Sequence, residues 1–176
     1  MKKIVWVYGL IMGTIFITGS LYMTHLLFYK NPDIESNDLL GYVVMIIIYS
    51  LIFFGIRNYR NRYLQGVISF KQAFKTGALI TLIASTVYVV VWLFYYYMFL
   101  PDFLEKYTEY VIRHAPPAEL ETKTQTMQHF KNMYENPLFV ILITYAEILP
   151  IGLIVSLISS FSLKKKEKTD HLNQEK

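Results

Sequence analysis

Apolar residues in this chain run together in four long blocks separated by short polar segments, rather than alternating or recurring on one face. A helix needs roughly 20 apolar residues to cross a hydrocarbon core of about 30 Å. Four blocks reach that range, at residues 4–29, 39–56, 76–100 and 137–163. No water satisfies peptide groups inside a bilayer, so each block is predicted to be an α-helix. The expected fold class is all-α, a polytopic membrane protein built as a four-transmembrane-helix bundle with a short extracytoplasmic helical hairpin. Residues 1–163 form the membrane domain, and residues 164–176 form a basic cytoplasmic tail expected to be disordered.

Local signals refine these boundaries. Met1-Lys2-Lys3 before an apolar run has the look of a signal peptide, but the run exceeds a signal core of about 7–15 residues and no small-residue cleavage motif closes it. It is therefore read as a retained helix. Asn136 before Pro137 is an N-cap followed by proline at the first helical position. Ser69 with Gln72 has the form of a capping box, which starts the third membrane helix inside the cytoplasm. The outer segment 102–136 divides at Pro116-Pro117 into two amphipathic stretches. The first carries Phe103, Tyr107, Tyr110, Val111 and His114, and the second Leu120, Met127, Phe130 and Tyr134. Their apolar faces are expected to lie on lipid, to close the mouth of the bundle, or to pack on each other.

Charge sets the orientation. Only 17% of residues are charged and 54% are hydrophobic, with a net charge of +4. Twelve Lys and Arg residues belong to the N-terminus, the second loop and the tail, against five in the other two loops. The positive-inside rule then places both termini in the cytoplasm. Basic residues that flank apolar blocks point to membrane orientation, so nucleic acid is not an expected partner. There is no cysteine, which excludes disulfides, thiolate metal sites and thiol nucleophiles.

Within the spans only His25 and Glu147 are plainly ionisable. Intramembrane acids are costly and are usually functional or paired. Glu147 lies eleven residues past Asn136, so about 16 Å deep, and His25 about 7 Å below Lys30. Helical side chains lean toward their own N-terminus, which brings the two groups closer in depth. A contact between them requires neighbouring helices. Pro150 removes the hydrogen bond to the Ala146 carbonyl, offering Glu147 a second polar neighbour. Glu147, His25 and Pro150 thus form the candidate intramembrane polar site, suited either to proton handling or to an interhelical hydrogen bond. Gly9 and Gly13, Gly77 and Ser85, and Gly152 and Ser156 form small-residue stripes on three helices, read as close-packing surfaces within the bundle.

No zincin, Walker, G-x-S-x-G or EF-hand pattern is present, and His114, His129 and His171 stand apart. No catalytic residue, metal or cofactor is expected. Residues 66–77 (GVISFKQAFKTG), Tyr134-Glu135-Asn136-Pro137, and Glu147 to Ser156 before the lysine tail resemble the bacterial membrane proteins grouped as domain of unknown function 4199. That resemblance covers nearly the whole chain and implies a bacterial inner-membrane location. It brings no activity, cofactor or catalytic residue with it. The first expectation is a non-enzymatic accessory or interaction subunit whose partners are the bilayer and, within it, another protein or further copies of itself. A small proton- or ion-coupled transporter using Glu147 comes second. An intramembrane enzyme with Glu147 and His25 as acid and base comes last.

Overall fold

A computed structural model of the chain describes residues 1–31, 33 and 38–165, so His171 and the tail past 165 lie outside the described residues. The structure is 87% helical and holds no strand among the described residues. The helices are α1 (Lys2–Thr24), continued by a π-helical turn at His25–Lys30, then α2 (Asp38–Tyr49) and α3 (Leu51–Tyr63). After these come α4 (Phe70–Phe99), α5 (Phe103–Arg113), α6 (Leu120–Tyr134) and α7 (Pro137–Leu163). Four segments are long and apolar enough to cross a membrane: Lys2–Lys30, Leu39–Tyr63, Phe70–Phe99 and Pro137–Leu163. The chain is a multi-pass membrane protein.

Two of these segments outrun their apolar blocks. The second continues through Arg57 to Tyr63, since basic residues at the end of a helix favour its C-terminus. It is also broken at Ser50, whose hydroxyl donates to the Ile47 carbonyl at 2.6 Å and so competes with the regular ladder. The other, α4, begins at the capping box. The Ser69 hydroxyl accepts from the Gln72 amide, and the Gln72 side chain accepts from the Ser69 amide, each at 3.3 Å. At α7, Asn136 Oδ1 accepts from the Leu138 amide at 3.0 Å, with Pro137 next in the first turn.

Helix α4 packs along both α1 and α7, and α3 touches all three. Small residues make these approaches close. A Cβ on Gly9 would stand 2.6 Å from Ile83, and one on Gly13 2.7 Å from Val87, so α1 lies directly on α4. On the other side of α4, Gly77 faces Ser156, and Gly152 faces Thr81 and the Tyr49 ring. The hydroxyls of Thr81 and Ser156 hydrogen-bond across this seam at 3.1 Å. Such seams supply dispersion contacts where lipid removes the hydrophobic drive between helices.

The end away from the termini is closed by aromatic side chains. Helices α5 and α6 settle their apolar faces on the bundle mouth, where Phe28, Trp92, Tyr96, Phe103, Tyr107 and Tyr134 meet edge to face or stacked. Trp92 is 6% exposed and belongs to this plug, whereas Tyr97 faces outward. The Tyr29 hydroxyl donates to Asp102 at 2.7 Å, tying the π-turn to the start of α5. At the opposite end, Ile68 and Lys165 exchange two backbone hydrogen bonds of 3.1 and 2.9 Å. Arg60 Nη1 donates to the Leu163 carbonyl at 3.2 Å, supplying a cation to the last turn of α7.

Candidate functional site

The inward stripe of α7 runs Val140, Thr144, Ile148, Gly152, Ser156 and Ser160, four residues apart and all buried. Glu147 precedes one member of that stripe and is therefore rotated by about 100° from it, onto the flank of the helix. Much of the bundle crowds round it, yet the residue itself is exposed. It makes no hydrogen bond or ion pair among the described residues. Pro150 is also exposed, and α7 continues through it without ending. The missing amide leaves the Ala146 carbonyl short of its helical donor, one residue from the acid.

Several hydroxyls share this depth. Ser20, Tyr49, Tyr88 and Glu147 each stand ten or eleven residues from the end of their segment away from the termini, so about 15–17 Å down it. Ser20 and Tyr88 hydrogen-bond between α1 and α4 at 2.9 Å. The fully buried Tyr49 donates to the Ile148 carbonyl at 2.8 Å, joining α2 to α7. The Ser85 hydroxyl, 1% exposed, faces Tyr49 and has no hydrogen-bond partner among the described residues. Glu147 lies near the phenols of Tyr88 and Tyr134. Burial pushes the Tyr134 hydroxyl above its ordinary value.

Sequence reasoning located Glu147 but not its neighbours. His25 is exposed and lies in the π-turn, where it stacks on Tyr29 with ring centroids 6.0 Å apart. No hydrogen bond, ion pair or ring contact joins it to Glu147, because α4 packs along both helices that carry them. Pro150 remains beside Glu147. The six small residues fall on the two seams of α4, with Ser85 turned toward Tyr49. Tyr88 and Tyr49 went unread because tyrosines abound in these spans and hydropathy treats them alike. Their common distance from the segment ends is the signal that marks them. Among the described residues no three His, Asp or Glu side chains are grouped to hold a metal ion.

A carboxyl here can donate or accept a hydrogen bond toward a group approaching from the side of the bundle. No side chain among the described residues hydrogen-bonds to it. Among known families, the model described as Protein of unknown function (DUF4199) matches residues 7–165. No curated protein and no solved structure shows a significant match.

Proposed function

This chain belongs to the DUF4199 family, which brings no activity with it, and from that premise we propose a non-enzymatic accessory or interaction subunit of a bacterial inner membrane. Both termini lie in the cytoplasm in this reading, as the division of basic residues favours. The observation that carries it is Glu147, exposed on the flank of a membrane helix with no hydrogen-bond or ion-pair partner among the described residues. An acidic residue at mid-membrane costs about 3 kcal/mol on insertion scales. A neighbouring membrane helix that offers a hydroxyl, amide or basic donor removes most of that cost. The exposed apolar residue Ile154 lies two turns from Glu147 on the same flank of α7 and extends the surface such a helix covers.

A photoreactive amino acid at Ile154, on the same flank as Glu147, tests this in native membranes. The expected result is a protein adduct of defined mass that disappears when Glu147→Leu is added. Adducts to lipid alone, or a protein adduct indifferent to Glu147→Leu, would sink the reading.

A proton-coupled transporter is the second reading, favoured by the exposure of Glu147 at the level of the Ser20–Tyr88 pair. Four spans are few for a monomeric carrier, so this reading requires an oligomer. Reconstituted vesicles under a pH gradient separate the two, since only a carrier loses proton flux in Glu147→Gln. The reading as an intramembrane enzyme needs an acid and a base together, and His25 does not meet Glu147.

A further inference from the structure

The π-helical turn His25–Lys30 breaks the register of α1 and presents Phe28 and Tyr29 toward α5. Turns of this kind are rare and frequent at functional sites. Between the turn and α5 lies a cavity of about 120 Å³, lined by Phe28, Tyr29, Lys106, Glu109, Tyr110 and Arg113. Its aromatic wall is rigid, because Phe28 meets Tyr107 and Tyr110 edge-on at 5.5 and 5.2 Å. The charges are mixed. Lys106, Glu109 and Arg113 recur every three or four residues, so two cations flank one carboxylate along a single face of α5.

Neither cation is firmly engaged. Arg113 pairs with Asp33 at 2.7 Å, but both side chains are well exposed, and exposed pairs are weak. Lys106 and Glu109 make no ion pair among the described residues. A simple anion in this cavity would be repelled by Glu109, and a simple cation by Lys106 and Arg113. A ligand that carries both signs a few ångströms apart satisfies all three. The cavity also sits where the first membrane segment ends at Lys30, the level at which lipid headgroups lie.

We propose that this cavity binds the headgroup of a phospholipid bearing a primary ammonium. Lys106 and Arg113 take the phosphate, whose oxygens accept their charge-assisted hydrogen bonds. Glu109 accepts from the ammonium, and the faces of Phe28 and Tyr29 attract the same charge. A choline group has no N–H to donate to Glu109, and a glycerol group has no positive charge to offer. The site is separate from the flank of α7 and does not depend on the partner proposed for it.

The full chain, purified in a neutral detergent, is titrated with short-chain phosphatidylethanolamine, phosphatidylcholine and phosphatidylglycerol, and with glycerophosphoethanolamine. Phosphatidylethanolamine is expected to bind about tenfold tighter than the other two lipids, each of which lacks one charge-assisted contact. Glu109→Gln should bring it down to the phosphatidylcholine level, whereas Lys106→Gln should weaken all three lipids alike. Both substitutions sit on the surface of α5, and helicity by circular dichroism checks their folding. If either variant unfolds, the selectivity of the unaltered chain decides. Equal affinity for the three lipids, or a preference that survives Glu109→Gln, overturns the proposal. Glycerophosphoethanolamine binding as tightly as the lipid overturns the lipid as its source.

Discussion

Gly152→Ala tests the seam between α7 and its neighbours, because this glycine has no space for a methyl group. The added Cβ would overlap Thr81 Cγ2 and would stand 2.6 and 2.9 Å from two atoms of the Tyr49 ring. Neither neighbour yields easily. Thr81 is fully buried and held by hydrogen bonds to the Gly77 carbonyl and the Ser156 hydroxyl. Tyr49 is fully buried and fixed through its hydroxyl to Ile148. Overpacking of this kind costs about 1–3 kcal/mol, and two rigid neighbours argue for the upper part of that range. The alanine recovers up to about 1 kcal/mol of helix propensity. The net expectation is a loss of about 1–2 kcal/mol. Gly19→Ala is the control, since nothing lies within 4 Å of its Cβ and propensity alone acts. Reversible unfolding in mixed micelles, followed by circular dichroism, measures both. Thr81→Ser removes the overlapping methyl and keeps the hydroxyl, so in the Gly152→Ala background it should restore about 1 kcal/mol as a non-additive term. The reasoning is refuted if Gly152→Ala is no worse than Gly19→Ala, or if Thr81→Ser shows no coupling to it.

Four further expectations follow from hydrogen bonds and titration. Tyr49→Phe removes the bond to the Ile148 carbonyl and should cost about 0.5–1 kcal/mol in the same assay, while Ser85→Ala, which deletes a buried hydroxyl without a partner, should be neutral or stabilising. Ser69→Ala opens the capping box and should cost about 1 kcal/mol, with faster amide exchange confined to the first turn of α4. Tyr134 is a group whose folded pKa is raised above the ordinary 10.0, so its contribution is complete below that value and is lost as pH rises through the folded pKa. Tyr134→Phe should therefore shallow the alkaline fall in thermal midpoint and leave its slope unchanged near neutral pH.

The four spans were legible because a bilayer demands long apolar runs, and the caps because Ser69, Gln72, Asn136 and Pro137 act within one turn of chain. The two helices after Pro101 were legible from their spacing, and the bundle mouth settles which surface their apolar faces cover. What stayed hidden is rotation about each helix axis. In α7 both faces are apolar, so hydropathy does not reveal that Ile148 points inward and Glu147 to the flank. The small residues Gly152 and Ser156 mark the inward stripe better than any hydrophobic pattern. The meeting imagined for His25 and Glu147 fails on the same point, since depth along two helices says nothing of which helices are neighbours. The π-turn at His25–Lys30 and the break at Ser50 had no separate signal, because both occur inside continuous apolar sequence.

The two backbone hydrogen bonds between Ile68 and Lys165 also bear on how the chain is made. They join a connection synthesised before the midpoint of the chain to residues that leave the ribosome after all four spans. Arg60 likewise waits for the Leu163 carbonyl. The loop ahead of α4 therefore acquires its final backbone partners only when α7 has been inserted and its end has returned to the same side of the membrane. Until then the Ile68 amide and carbonyl have only water to bond to, and the bridge replaces that water when the last span is in place. This short bridge thus ties the end of the last span to the connection between the second and third, across nearly a hundred residues of sequence.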